Sequence, residues 1–435
     1  MLTNFENHIE KNFPFLREGK LLIAVSGGLD SVALVHLCHS LNLNVALAHC
    51  NFNLRGDESD ADENFVLQLA EDFNIEVFVE NFDTESFAKD HKLSTQMAAR
   101  ALRYTWFIEL AAQLQFEYIL TAHHADDNLE TFLINLSRGT GLEGLKGIPE
   151  INDNIVRPLL PFSREAIEKY AEENNIDWRK DSSNASDKYF RNALRHKVVT
   201  QLKDLNPQFL ENFNKTISHI KDAYDVVNDK IDEVGKAILF KKENAVYFDI
   251  KKLQDFNNPK AYLYELLKGY GFTEWNDVYG LLQSQSGKQV FSEHWRLLKD
   301  RDHLILSEIG DATNATILIV ETDRKVTTPF GQLQFELVSD IQAIDNNTIY
   351  IDNNKSSFPL KIRKWKKGDS FYPFGMQGSK KLSKYFKDEK MSLLDKENIW
   401  LLCLENDIVW VIGWRADERF KVTETTKAIL KITLS

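Results

Sequence analysis

The first 200 or so residues alternate short apolar runs with segments in which apolar residues recur at helical spacing. Apolar runs of strand length occupy residues 21–25, 45–48, 76–79 and 118–121. Helical patterns lie between them, at residues 31–41, 59–73 and 96–114. Because strands separated by helices usually pair in parallel, this alternation predicts an α/β domain with helices on both faces of a parallel sheet.

The rest of the chain follows two other patterns. An amphipathic stretch opened by Asn206-Pro207 predicts one long helix over residues 209–238, and a mixed α/β segment follows it. From about residue 315, short apolar runs separated by turn residues are typical of a small, mostly β domain. We therefore predict three domains, at residues 1–204, 205–310 (helix-rich) and 311–435.

Composition narrows the class of protein. With 43% hydrophobic and 27% charged residues, the chain has the composition of a soluble globular protein. No apolar run approaches the roughly 18 residues of a membrane span, and the N-terminus lacks the pattern of a secretory signal. The three cysteines, Cys38, Cys50 and Cys403, are far apart and form no CxxC pair. We therefore expect a cytoplasmic protein with no membrane partner.

Charge is unevenly distributed along the chain, whose formal net charge is −12. Residues 57–90 are strongly acidic, which is typical of an exposed helical face. Residues 361–390 are strongly basic, and a solvated face would explain them as well. However, aromatic residues interleave the charges, as in surfaces that bind nucleic acid, and these are Trp365, Phe371, Tyr372, Phe374, Tyr385 and Phe386.

The stretch SGGLDS, residues 26–31, connects the first predicted strand to a helix. Gly27 and Gly28 permit a tight turn whose backbone N–H groups can hold phosphate oxygens. Asp30 would repel a phosphate unless a cation such as Mg²⁺ lies between them. The loop has no GxxxxGK[ST] pattern, and the GxGxxG at residues 139–144 follows a helix rather than a strand. We therefore predict a phosphate site at residues 26–31.

A second group of polar residues follows the fourth predicted strand, in the stretch HHADDNLET. Asp127 and Glu130 are three apart on a predicted helix and share a face, which suits an ammonium group or simply a helix N-terminus. His123 and His124 are open to three interpretations: metal ligands, polar core residues or phosphate contacts.

Basic residues raise similar alternatives. Arg103 is either a surface ion-pair partner or a ligand for phosphate or carboxylate. Arg191, Asn192 and Arg195 form an RNxxR unit that would bind phosphate or RNA, or only anchor the domain.

These motifs carry a resemblance to a known family. SGGLDS after a strand resembles the signature of the N-type ATP pyrophosphatases, or PP-loop enzymes. Further stretches, in this order, resemble the tRNA(Ile)-lysidine synthetase family over nearly the whole chain: HCNFNLRGDESDADE, QMAARALRY, TAHHADDNLETFLINLSRGTGLEGLKGI, RPLLPFSR, WRKDSSNASDKYFRNALR and RKWKKGDSFYPFGMQGSKKLSKYFKDEK.

The resemblance implies a Rossmann-like PP-loop domain and roles for particular residues. The ATP site would comprise Ser26, Gly27, Gly28, Leu29, Asp30, Ser31 and His123, with Asp30 also holding Mg²⁺. The catalytic residues would be Asp30, Arg103, Asp127 and Glu130, the last three of which would also bind lysine. The predicted tRNA-binding residues are Arg191, Arg195, Arg363, Lys364, Lys366, Lys367, Lys380, Lys381 and Lys384.

The implied reaction joins free L-lysine to carbon 2 of the wobble cytidine in the CAU anticodon of tRNA(Ile). ATP would first adenylate the cytidine, and the modified tRNA would then read AUA instead of AUG. Asp30 and Asp127 are both candidates for accepting the lysine proton. The sequence leaves open whether two copies form a homodimer.

Three other functions fit parts of the sequence. A tRNA thiolase would usually need catalytic cysteines, and this chain lacks a cysteine pair. An amidating synthetase would usually carry a glutaminase domain. A non-catalytic RNA-binding protein would not require the intact SGGLDS and HHADD stretches.

Overall fold

The computed structural model describes residues 1–179, 190–242, 244–309, 316–342, 345, 347–355 and 358–435. It divides into two compact units, Met1–Asp229 and Lys230–Ser435. The division into domains 1–204, 205–310 and 311–435 stays a prediction. Residue 311, where the third predicted domain begins, lies outside the described residues, as do residues 180–189 of the stretch WRKDSSNASDKYFRNALR.

The first unit is built on a six-stranded sheet with the strand order β3-β2-β1-β4-β6-β5. Its strands are β1 Leu21–Ala24, β2 Val45–Asn51, β3 Val77–Asn81, β4 Tyr118–Leu120, β5 Ile151–Asn152 and β6 Ile155–Val156. All neighbours are parallel except β5 and β6. The four predicted strands are therefore confirmed, whereas β5 and β6 are too short to give a periodic signal.

The helices of this part of the chain follow the predicted alternation. They are α1 Leu2–Asn12, α2 Leu29–Ser40, α3 Asp57–Phe73, α4 Thr84–Asp90, α5 Thr95–Leu114, α6 Ala125–Ser137, α7 Leu142–Leu145, α8 Arg164–Glu173, α9 Phe190–Leu194, α10 Thr200–Leu205 and α11 Phe209–Ile238. A π-helical turn, Arg195–Val199, joins α9 to α10. The helices predicted from periodicity, α2, α3, α5 and α11, are confirmed.

Strand β1 is buried on both faces of the sheet, and its alternate residues point into the two cores on these faces. Leu21 and Ile23 pack in the same core as Val35 of α2. Leu22 packs with Phe107 of α5 in the core on the other face. The loop that follows β1 therefore starts from a rigid support.

The second unit consists mainly of antiparallel sheets. The first has the order β7-β8-β11-β10-β9 and comprises β7 Leu239–Lys242, β8 Ala245–Asp249, β9 Gln289–Phe291, β10 Trp295–Asp300 and β11 His303–Glu308. Helices α12 Ile250–Gln254, α13 Pro259–Leu267 and α14 Trp275–Gly280 accompany it.

Three more sheets complete this unit, in the orders β12-β16-β19-β20-β21, β13-β14-β22-β15 and β17-β18. Their strands are β12 Ile317–Ile319, β13 Lys325–Thr328, β14 Gly331–Val338, β15 Thr348–Asp352, β16 Leu360–Lys364, β17 Ser370–Phe371, β18 Lys380–Lys381, β19 Trp400–Leu404, β20 Asp407–Val411, β21 Arg415–Ala416 and β22 Ile429–Leu434. Two helices, α15 Leu382–Asp388 and α16 Leu393–Asn398, lie among them.

The predicted fold class is confirmed: a parallel-sheet α/β domain, a helix-rich middle and a mostly β C-terminal region. Within the described residues, no helix combines the length and the apolar character needed to cross a membrane.

The aromatic residues of the basic stretch do not all face solvent, which corrects the sequence-based interpretation. Phe371, Tyr385 and Phe386 are buried in one hydrophobic core, and Trp365 packs against it while its Nε1–H donates to the Lys396 carbonyl oxygen. They alternate with lysines because α15 and its flanking strands are amphipathic. The exposed aromatic residues of this stretch are Tyr372 and Phe374.

This difference predicts a large loss of stability for one Phe-to-Ala substitution and almost none for another. Phe386→Ala should lower the free energy of unfolding by about 3–5 kcal/mol, since it leaves a cavity in a packed core. Phe374→Ala, its control, removes a side chain that is 49% exposed and should change that free energy by less than about 0.5 kcal/mol. Urea denaturation of the two variants tests this assignment, and similar losses of stability would contradict it.

Candidate active site

The loop SGGLDS connects the end of β1 to the first turn of α2. Gly27 has φ of +83°, in the left-handed region that favours glycine. The Ser31 hydroxyl donates to the Gly28 carbonyl oxygen at 2.9 Å and accepts from the Ser26 N–H at 3.2 Å. These bonds fold the loop around the N-terminus of a 12-residue helix, an arrangement that favours anions.

A cavity of about 650 Å³ lies over this loop. Nine of the residues proposed from the sequence line it: Ser26, Gly28, Leu29, Asp30, Ser31, Arg103, His123, Asp127 and Arg191. Among the described residues, Gly27, Glu130 and Arg195 were also proposed for this region but do not line the cavity. The phosphate loop and the acidic helix α6 therefore contribute to one site.

His124 lies between the carboxylates of the two motifs. Its Nε2 is 3.7 Å from Oδ2 of Asp30 and 3.4 Å from Oδ2 of Asp127. Its Nδ1 is 3.7 Å from Oδ2 of Asp126 and has no hydrogen-bond partner in the described part of the chain. The imidazole is only 1% exposed. His124 is thus a buried polar residue that lies between the loop and α6.

Asp30 has the surroundings expected of a cation ligand. Its Oδ1 is buried and has no hydrogen-bond partner among the described residues. Burial raises the pKa of Asp30, while His124 and Arg164 oppose that rise. Within the described chain, no cluster of three or more His, Cys, Asp or Glu residues is arranged to hold a metal by itself. Because Mg²⁺ commonly uses one or two carboxylates together with substrate phosphates, Asp30 fits such an ion.

Asp127 and Glu130 share a face of α6, as predicted, but their surroundings differ. Glu130 is fully buried and accepts hydrogen bonds from Nε of Arg191 at 2.6 Å and Nε of Arg195 at 2.5 Å. Asp127 accepts from the His124 N–H at 3.1 Å and from Nη2 of Arg191 at 3.1 Å. Burial raises the pKa of Asp127, but His124 and Arg191 outweigh it, so this pKa lies below its ordinary value.

Arg191 and Arg195 therefore anchor α9 and the π-helical turn to α6. Anchoring of the domain is one of the alternatives that the sequence left open for the RNxxR unit. Arg191 also reaches the cavity, where its side chain is 41% exposed.

Arg103 and His123 occupy another wall of the cavity. The Arg103 guanidinium lies 5.2 Å from the centre of the Phe52 ring. No carboxylate in the described ranges is within ion-pair distance of it, which argues against a surface ion pair. His123 is bonded to the Thr121 hydroxyl through Nδ1 at 3.0 Å. Burial lowers the pKa of His123 to about 4, so its imidazole is neutral at pH 7.

Several residues that line the cavity were not singled out from the sequence, namely Arg55, Asp62, Arg164, Trp178 and Arg179. The only signal for each of them was its place within a stretch that carries the family resemblance. Asp62 belongs to the acidic run interpreted as a solvated face, yet its side chain is 12% exposed and bonded to two arginines. For this residue the interpretation was wrong, because composition does not reveal which side of α3 faces the loop.

The seven basic residues of the second unit that were predicted to bind tRNA fall into two groups. Arg363 pairs with Asp369, Lys380 pairs with Asp388, and Lys364 donates to the Glu397 carbonyl oxygen. The exposed ones are Lys366, Lys367, Lys381 and Lys384. The first group contributes to local structure, and the second remains available to a polyanion.

Comparison with known proteins identifies families along most of the chain. A PP-loop domain matches residues 1–202. A TilS substrate binding domain matches residues 241–309, and a TilS substrate C-terminal domain matches residues 360–432.

Whole proteins match as well. The tRNA(Ile)-lysidine synthase of Bacteroides thetaiotaomicron is 38% identical over 427 residues, which cover 97% of this chain and 97% of that protein. The protein of the same name from Parabacteroides distasonis is 39% identical over 436 residues, covering 99% of each. The one from Porphyromonas gingivalis strain W83 is 35% identical and covers 97% of this chain and 96% of its own length. Similarity of this extent, together with the geometry of the loop and of α6, shows that the chain belongs to the tRNA(Ile)-lysidine synthase family.

Proposed function

We propose that this protein uses ATP to join L-lysine to carbon 2 of the wobble cytidine in the CAU anticodon of tRNA(Ile), forming lysidine. The observation that carries the proposal is that one cavity is lined both by the loop at the N-terminus of α2 and by Asp127, whose pKa lies below its ordinary value. Asp30 of the loop and Asp127 of α6 both contact the same imidazole nitrogen of His124. The phosphates of a nucleotide and the amine of lysine can thus bind close together.

In the first step, the cytidine O2 attacks the α-phosphorus of ATP, and the bond to pyrophosphate breaks. The loop N–H groups and the α2 N-terminus would bind the pyrophosphate as its charge develops. Mg²⁺ bound at Asp30 would neutralise part of the phosphate charge. Arg103, exposed to the cavity and free of any described carboxylate, can donate to a phosphate or to the lysine carboxylate.

In the second step, the ε-amine of lysine attacks carbon 2 of the activated base, and AMP leaves with the former O2 oxygen. Asp127 is the residue that we assign to the lysine ammonium, because His124 and Arg191 keep it ionised. The amine must lose a proton before it attacks, and Asp30 and Asp127 are the candidates to accept it. Glu130 takes no direct part in this scheme, since it is buried behind Arg191 and Arg195.

The tRNA would contact the exposed lysines of the second unit. These are Lys366, Lys367, Lys381 and Lys384, and in the described part of the chain they make no ion pairs like those of Arg363 and Lys380. Such contacts give affinity that falls with salt, while selection of tRNA(Ile) over tRNA(Met) requires recognition of RNA shape or unpaired bases. We propose the cytoplasm as the compartment of the reaction. The homodimer stays a prediction.

The alternative of a cysteine-dependent thiolase has little chemical support. Cys50 lines the cavity, but burial raises the pKa of its thiol to about 12, so little thiolate forms at neutral pH. Burial raises the pKa of Cys403 to about 11, and Cys38 is buried in the core. A pure RNA-binding protein would have no use for the buried Oδ1 of Asp30, which has no hydrogen-bond partner within the described ranges.

The central test combines the protein with ATP, Mg²⁺, labelled lysine and a tRNA(Ile) transcript bearing CAU. We expect label in this transcript but not in a tRNA(Met) transcript with the same anticodon. Asp30→Asn should reduce the rate by at least about 100-fold, because it weakens charge stabilisation in the first step. Absence of label from tRNA(Ile) would contradict the proposed function, and full activity of Asp30→Asn would contradict the role of the loop.

Substitution of Asp127 should weaken the binding of lysine but not that of ATP. We expect Asp127→Asn to raise the KM for lysine by roughly 10- to 100-fold, since it removes the charge that holds the ammonium. The affinity for ATP, measured by calorimetry without lysine, should change by less than about threefold. Glu168→Asn alters an exposed carboxylate on α8 and serves as the control. A larger loss of ATP affinity than of lysine affinity would contradict the assignment.

A further inference from the structure

Asp62 of α3 is a buried carboxylate that the proposed reaction does not use. Its Oδ1 accepts a hydrogen bond from Nε of Arg179 at 2.8 Å, and its Oδ2 accepts from Nη2 of Arg55 at 2.8 Å. All three side chains line the cavity over the SGGLDS loop. A carboxylate in this place would repel a phosphate if it stood alone, so the arginines determine the sign of the charge there.

Arg179 is fixed to the phosphate loop at two points. Its backbone N–H donates to the Gly27 carbonyl oxygen at 2.9 Å, and its Nε is held by Asp62. A Cβ at Gly27 would lie 3.6 Å from Cγ of Arg179, so the side chain passes directly over the glycine. In the described part of the chain, Nη1 and Nη2 of Arg179 make no hydrogen bond.

This geometry suits a guanidinium that is oriented before the ligand binds. An arginine usually loses side-chain entropy when it binds a phosphate, and a carboxylate on Nε reduces that cost while leaving the terminal nitrogens to donate. The second carboxylate oxygen is held by Arg55, so Asp62 cannot rotate away without breaking that pair. Arg164 approaches the loop at a different point, because its Nη1 lies 3.7 Å from Oδ2 of Asp30 in the first turn of α2.

We propose that Arg179 binds the phosphates of ATP that leave as pyrophosphate, and that Asp62 is the positioning residue that orients it. This inference rests on the proposed function, since it names a further residue for the same phosphate site. The competing explanation is purely structural: the ion pairs would only fasten α3 and the segment before residue 180 to the loop. If Arg179 binds these phosphates, its loss weakens the binding of pyrophosphate but not of AMP. A purely structural role would weaken the binding of both.

The first experiment measures, by calorimetry on the full chain, the binding of magnesium pyrophosphate and of AMP to wild type and Arg179→Ala. We expect pyrophosphate affinity to fall roughly 10- to 100-fold, as for loss of a charged hydrogen bond, while AMP affinity stays within about threefold. Arg138→Ala, which removes an exposed arginine after α6, is the control and should change neither. If Arg179→Ala unfolds below the assay temperature, Arg179→Gln replaces it.

A second substitution tests the positioning role. Asp62→Asn should weaken pyrophosphate binding and raise the KM for ATP while the KM for lysine stays unchanged, and Asp57→Asn, in the exposed first turn of α3, should do neither. Equal losses for pyrophosphate and AMP, or unchanged pyrophosphate affinity in Arg179→Ala, would overturn the inference. Lysine incorporation by the same wild-type preparation is scored separately. If it fails while the selective loss of pyrophosphate binding persists, the proposed function is wrong and the phosphate contact stands.

Discussion

The neutralisation of buried carboxylates at the start of α6 is the interaction on which the site depends. Glu130 is completely buried, and its two oxygens are bonded to arginines that follow it by 61 and 65 residues in the chain. Next to it, Asp126 accepts from the Arg164 N–H at 2.9 Å and pairs with Lys203 of α10. A buried carboxylate without such partners costs several kcal/mol, so α6 can pack here only when the segment from α9 to α10 folds against it.

These ion pairs also determine the chemistry that the cavity can support. Because Arg191 reaches from Glu130 to Asp127, the buried carboxylate and the carboxylate that lines the cavity share one guanidinium. His124 and Arg191 together hold the pKa of Asp127 below its ordinary value, so this carboxylate can hold an ammonium group. The charge of Asp30 is less fully compensated, and its Oδ1 has no hydrogen-bond partner among the described residues, which suits a cation brought in with a nucleotide. The surrounding charges therefore distinguish Asp127, which suits an ammonium group, from Asp30, which suits a cation. The sequence alone left both as candidates for the same step.

Much of the fold could be predicted because strand and helix periodicities differ. The four predicted strands follow from their short apolar runs, the first of which begins at Leu21. The loop at residues 26–31 follows from the glycines between the first run and a helical pattern. The partners of Glu130 could not be predicted, since nothing local in the sequence pairs residues so far apart. The burial of Asp62 and Phe386 could not be predicted either. Asp62 lies in an acidic run and Phe386 in a basic one, and only the packed structure shows which side of each helix is buried.

The central claim is that the cytidine oxygen is activated by transfer of AMP, and an isotope experiment tests it most directly. A tRNA(Ile) carrying ¹⁸O at O2 of the wobble cytidine is converted with unlabelled ATP and lysine, and the products are weighed by mass spectrometry. We expect one ¹⁸O atom in AMP and none in pyrophosphate, because the base oxygen leaves bonded to the α-phosphorus. Label in inorganic phosphate or pyrophosphate, or its retention in the tRNA, would contradict this mechanism.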